Sequence, residues 1–132
     1  SSTTATTDRE ALVYVRQIAE AGNARAAFVL AECLSEGIGC PQDFAEALKW
    51  YAAGAELGDT SSMAALGRMY STGNGVLQDF VRAHTWLNLA AARGDRPSSV
   101  ARDRLARSMT PDDVALAQMV ARRWDEDHRP TA

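Results

Sequence analysis

The chain has 132 residues, 46% of them hydrophobic and 23% charged, with a formal net charge of −3. That length and balance suit one domain with a real core, and no apolar run approaches the roughly 18 residues that a membrane span needs. So small a net charge gives no argument for nucleic acid or an acidic substrate.

In chain order, residues 1–7 form a Ser/Thr tract that reads as a flexible linker or a trimmed terminus. A capping box, Thr7-Asp8-Arg9-Glu10, predicts the start of a first helix over 8–21. From Gly22 to Gly94 one pattern is then written twice. Laid over each other at an offset of 36, residues 22–57 and 58–93 share Gly22/Gly58, Leu30/Leu66, Ser35/Ser71, Gly37/Gly73, Gly39/Gly75, Gln42/Gln78, Asp43/Asp79, Phe44/Phe80, Ala47/Ala83, Trp50/Trp86 and Ala55/Ala91. Self-similarity at this period marks a solenoid, whose units bury their apolar faces only by stacking on neighbours.

Each unit reads as a helix–loop–helix hairpin. Met63, Leu66, Gly67 and Tyr70 recur at helical spacing. Gly73-Asn74-Gly75 stops that helix, and Asp79 caps a second one with Ala83, Trp86, Leu87, Ala90 and Ala91 on its buried side. Helices are expected at about 23–35, 43–57, 59–71 and 79–93. Phe44, Phe80, Trp50 and Trp86 recur at the repeat period and are read as core. Shifted by 36, Thr7 falls on Asp43, Ala11 on Ala47, Tyr14 on Trp50 and Ala19 on Ala55, so the first helix is the second half of a repeat.

After Gly94 the pattern changes. Residues 94–124 are expected as a closing helical hairpin, with Pro97 near the start of one helix. Thr110-Pro111-Asp112-Asp113 opens the other, whose apolar stripe is Val114, Ala117, Val120, Ala121 and Trp124. Residues 125–132 are polar and expected to fray.

The run G-D-x-x-x-M-A-x-L-G-x-M-Y-x-x-G-N-G-V-x-Q-D-F-x-x-A-x-x-W-x-x-x-A-A-x-x-G at 58–94 resembles a Sel1-like repeat, and 22–58 resembles it less closely, with Ala31 in place of Gly67 and Cys40 in place of Val76. The segment 94–124 is similar to tails that commonly follow such arrays. The resemblance implies an all-α fold, an α/α superhelix of about seven helices, related to tetratricopeptide arrays and used for protein–protein contact in regulation or assembly. In that fold the repeat positions Leu30, Gly37, Gly39, Asp43 and Trp50, with Leu66, Gly73, Gly75, Asp79 and Trp86, are structural.

The resemblance also implies that the first helix of each hairpin lines a concave face. Positions there that packing does not need include Arg25, Val29, Glu32, Ser61, Ala65 and Arg68. Arg25, Glu32 and Arg68 are the candidate partner-binding residues, because their charges can pair with a peptide or its terminus. The expected partner is another protein or peptide segment, and the alternative is a spacer or terminal section of a larger repeat protein that binds nothing itself. Self-association through the uncapped first helix would mark that alternative.

Chemistry is not expected. His84 and His128 stand in no catalytic spacing, and His84, aligned with Leu48, is read as a helix-side residue with its edge in solvent. The Gly-x-Gly loops follow helices and lack the Lys-Ser/Thr of a phosphate loop. Cys33 and Cys40 take the packing places of Met69 and Val76, so buried thiols are favoured over a disulfide, and no second pair completes a metal site. No cofactor or small-molecule substrate is implied. The one basic block, Arg93, Arg96, Arg102, Arg104 and Arg107, is interleaved with Asp95 and Asp103 and has no aromatics, so it reads as a solvated helix face. Nothing in the residues chooses between the cell envelope and the cytoplasm.

Overall fold

The structure, a computed structural model, describes residues 2–130, with side chains from Thr7 onward. Its described residues form seven helices and no strand: α1 (Ser2–Glu20), α2 (Ala24–Glu36), α3 (Phe44–Glu56), α4 (Thr60–Thr72), α5 (Phe80–Ala92), α6 (Arg96–Ala106) and α7 (Pro111–Asp127). The architecture is the expected all-α solenoid, with α1 to α6 each packed on the next, and α7 lying back against α5.

The caps explain the helix starts. The side chains of Asn23, Asp43, Asp59, Asp79 and Asp95 each accept the amide three residues on, as does Thr110 ahead of Pro111. Two boundaries differ from expectation. The helix α1 begins at Ser2, so the tract read as a linker is helical in its described part; no glycine or proline lies between Ser2 and Glu20 to stop it. At the other end α7 runs through to Asp127 instead of fraying from residue 125, because side chains beyond Trp124 are tied to other helices.

Recurrent loop residues do matching work in both repeats. The Gln42 side-chain amide donates to the Ser35 carbonyl and the Gln78 amide to the Ser71 carbonyl, each at 2.8 Å. The second glycine of each loop rests on an earlier helix. Gly39 lies over the backbone of Asp8 in α1, and Gly75 lies over Phe44 in α3, both at φ +73°. A Cβ at either place would strike the helix below, so the left-handed turn and the close approach both demand glycine.

Leu30, Ala31, Ala47, Ala55, Met63 and Leu66 close the main core, and burying a leucine such as Leu30 stabilises by about 1.5–3 kcal/mol. Small residues let the helices approach, as Gly67 shows: a Cβ there would meet Leu87. The recurring aromatics sit further out than expected. Trp50 and Trp86 are half-buried at the rim of the core, and Phe44 is 36% exposed. Phe44 carries the next loop's glycine, whereas Phe80 packs against the cluster of Ala83, Leu87 and Leu105. Cys33 and Cys40 are free, half-buried thiols, and burial pushes both above the ordinary thiol value.

Candidate interaction groove

Eleven positions are identical in the two units, while position 32/68 changes from Glu to Arg. Glu32 projects from α2 and Arg68 from α4, and both line one groove of about 310 Å³. Its walls include Ser35, Phe44 and Tyr51 on one side and Ala65, Met69, Thr72 and Asn74 on the other. Two of the three candidate residues thus meet in one place.

Tyr51 sets the groove's polarity. Its hydroxyl donates to Glu32 Oε1 at 2.9 Å and receives the Ser35 hydroxyl at 3.4 Å. Burial pushes the phenol up to about 12, so it stays a neutral donor. The exposed Arg68 guanidinium stands across from this acid–phenol pair. The groove therefore offers a carboxylate and a cation, with Met69 and Phe44 adding apolar side chains to its walls.

Arg25 lies apart, about two turns from Glu32 along α2. Its guanidinium stacks 4.8 Å over the Phe28 ring and reaches Ser61 Oγ at 3.4 Å and Asp59 Oδ1 at 3.8 Å. Val29 is 38% exposed, Ser61 is half-buried, and Ala65 is buried at 3% exposure, so Ala65 belongs more to the packing than to a free surface.

Sequence reasoning missed Tyr51 as a groove residue. The available signal was its replacement by Leu87 at the equivalent place, a hydroxyl set on a packing position in one repeat only. It also missed a cluster where the chain's end meets α3 and α5. Trp124 Nε1 donates to Glu56 Oε1 at 3.2 Å, and His128 stacks on the Trp124 ring at 3.7 Å. The His128 nitrogens lie 2.8 Å from the Trp124 carbonyl and 2.8 Å from Glu56 Oε2. Arg93 lies 5.3 Å from the Trp124 ring and pairs with Asp125 at 2.8 Å. No spacing rule connects residues so far apart in sequence.

The remaining expectations sort themselves as follows. Of the basic block, Arg102 is bonded to Asn88 and Asp103, while Arg96, Arg104 and Arg107 are exposed. Within the α7 stripe Ala117 and Ala121 are buried, but Val120 is 42% exposed and lines a shallow apolar cleft between α5 and α7 with Leu116. His84 is buried at 3% exposure instead of edging into solvent, because α6 closes over that side of α5. Among the described residues no cluster of His, Cys, Asp and Glu could hold a metal ion, and no helix is long and apolar enough to cross a membrane.

Comparison with known proteins agrees with this architecture. Among solved structures the chain is similar to a protective antigen of uropathogenic Escherichia coli strains displaying an SLR fold, at 26% identity and a TM-score of 0.87, over 92% of this chain and 26% of that one. It is also similar to a Sel1 repeat protein from Oxalobacter formigenes, at 28% identity and a TM-score of 0.72, over 74% of this chain and 28% of that one. The chain thus spans about a quarter of the length of each. No curated protein matches it. Residues 24–59 and 60–95, more than half of the chain, each match the family model described as Sel1 repeat. With two consecutive repeats matched and the hairpins stacked as described, the chain belongs to the Sel1 repeat family.

Proposed function

We propose that the chain is a non-enzymatic adaptor that holds an extended segment of a partner protein in the groove between α2, α3 and α4. Sel1 repeat proteins generally serve as protein–protein interaction modules. The observation that carries the reading is the convergence of Glu32 and Arg68, at positions the repeat leaves free to vary, with the buried Tyr51 hydroxyl on one groove. Such a site suits a peptide with a basic residue toward Glu32 and an acidic residue or terminal carboxylate toward Arg68. Arg25 extends the same edge toward the start of α2. The role in regulation or complex assembly, and the concave placement of the groove, are part of this proposal.

The test is selection of peptides from a displayed library, followed by anisotropy titration of the enriched sequences. The pair Glu32→Arg and Arg68→Glu is expected to weaken binding by about tenfold or more, ~1.4 kcal/mol. Thermal unfolding should barely change, since Tyr51 keeps Ser35. Adding Arg25→Glu tells how far along α2 the footprint runs. An affinity within about twofold of the original chain removes the groove as the site. A second reading, a spacer or terminal section with no binding of its own, is favoured by the exposed apolar side of α1, where Tyr14 is 67% and Ile18 49% open to solvent. Enrichment of no peptide would select it.

A further inference from the structure

The chain has three asparagines, Asn23, Asn74 and Asn88, and the fold puts them in different chemical situations. Asn23 caps α2: its Oδ1 accepts the Ala26 amide at 2.8 Å, and the next residue, Ala24, opens the helix. Asn88 lies inside α5, where its Oδ1 accepts Arg102 Nη1 at 2.8 Å and the amide of the next residue, Leu89, belongs to the helix. Both side chains are held, and both are followed by a residue with a Cβ.

Asn74 differs on each count. It is exposed in the loop between α4 and α5, it lines the groove with Arg68, and Gly75 follows it. Its backbone amide reaches Thr72 Oγ1 at 3.4 Å. Among the described residues, neither its side-chain amide nor the Gly75 N–H has a hydrogen-bond partner. An asparagine is labile where the following peptide nitrogen is free to turn on its side-chain carbonyl carbon, and glycine, without a Cβ, obstructs that approach least. The first repeat carries Ile38 at this place, so the loop folds without an asparagine.

We propose that Asn74 is a site of spontaneous deamidation that changes the charge of the groove as the chain ages. The Gly75 nitrogen, its proton given up to solvent, attacks Asn74 Cγ and closes a succinimide. The Cγ–Nδ2 bond breaks, and the side-chain nitrogen takes a proton back from solvent and leaves as ammonia. Water then adds to one imide carbonyl: opening at Cγ gives aspartate, and opening at the main-chain carbonyl gives isoaspartate. Either way one water is consumed and one ammonia released. A neutral amide becomes a carboxylate in the groove that Arg68 lines, where it competes with a ligand's acid for that cation. The isoaspartate branch also adds a carbon to the main chain just before Gly75, the glycine seated on Phe44. The effect on a partner rests on the peptide-groove reading; the deamidation does not.

Incubation of the intact folded chain at mildly alkaline pH, followed by peptide mapping with mass spectrometry, tests it. Aspartate and isoaspartate are expected in place of Asn74, with Asn23 and Asn88 unchanged. Labelling by an isoaspartate-specific methyltransferase should appear in the aged chain and be lost in Asn74→Gln. A synthetic peptide of residues 71–78 in the same buffer controls for the local sequence. If that peptide deamidates while Asn74 in the folded chain keeps its amide, the fold protects the site and the proposal is overturned. Equal loss at all three asparagines overturns it as well. The consequence is read with Asn74→Asp on the peptides enriched by the unmodified chain: those with an acid toward Arg68 are expected to bind about fivefold more weakly. Deamidation with unchanged affinity would count against the groove reading, and a retained amide against this one, so the two fail separately.

Discussion

At position 84 the second repeat carries an imidazole where the first carries Leu48. His84 is buried and its Nδ1 has no hydrogen-bond partner. Burial, helped by the nearby Arg102 guanidinium, holds its pKa below the ordinary 6.5. The folded chain therefore refuses a proton that the unfolded chain accepts, so this site's contribution is intact above 6.5 and is lost as the pH falls below it. His84→Leu is expected to stabilise by about 1 kcal/mol at neutral pH, because the buried unpaired nitrogen is gone. It should also flatten the acid side of the stability profile, as urea denaturation across pH would show. Nothing local revealed the burial of His84: its helix shows a polar residue beside Ala83, and the cover comes from α6, in another repeat.

Helices and their loops were largely legible, because caps, stops and the period of 36 are written in the residues that make them. What the period does not say is why a residue recurs. Gly75 rests on Phe44 while its counterpart Gly39 rests on Asp8, so the glycine recurs as a seat without a recurring aromatic beneath it. In the sequence, Phe44 looks like any core aromatic. The contact can be measured. Gly58 and Gly75 both adopt positive φ, +90° and +73°, but a Cβ at Gly58 meets open space and one at Gly75 meets Phe44. Gly58→Ala is expected to cost about 1–2 kcal/mol from backbone conformation alone. Gly75→Ala should cost more, since α3 must also move, and the difference in denaturant midpoints isolates the seat of the loop. Equal costs would show that the loop does not rest on α3. The candidate groove was half legible for a similar reason. Charge at free positions pointed to Glu32 and Arg68, while Tyr51 joins them only through a packing position whose hydroxyl points into the groove.

For the molecule as a whole, the C-terminal cluster adds a second pH response of opposite sign. Both His128 nitrogens face acceptors, the Trp124 carbonyl and Glu56, so only the protonated ring can donate to both. The carbonyl contact and then the Glu56 carboxylate raise the His128 pKa above the ordinary 6.5. Asp127 adds to this from α7, and Arg93 and Asp125 pair with each other beside it. The stabilisation is fully present below 6.5 and is lost as the pH rises through the elevated folded value. His128→Phe keeps an aromatic ring for stacking but removes the charge. Its stability deficit is expected to be largest in mild acid and to shrink in base, and a deficit constant across pH would assign the contact to stacking alone. With His84 acting in the other direction, the profile should peak between the two titrations.

The same cluster also governs time. Stacked hairpins fold by joining neighbours, which needs only short loops, whereas Glu56 and His128 are 72 residues apart. Closing so long a loop waits until the helices between are in place, so the contact forms after the rate-limiting barrier. Removing it by His128→Ala should leave the refolding rate nearly unchanged and speed unfolding, which stopped-flow measurements on both limbs can separate. The tail's bond to α3 is then a brake on the chain's opening, and the lifetime of the native state depends on its last turn of helix.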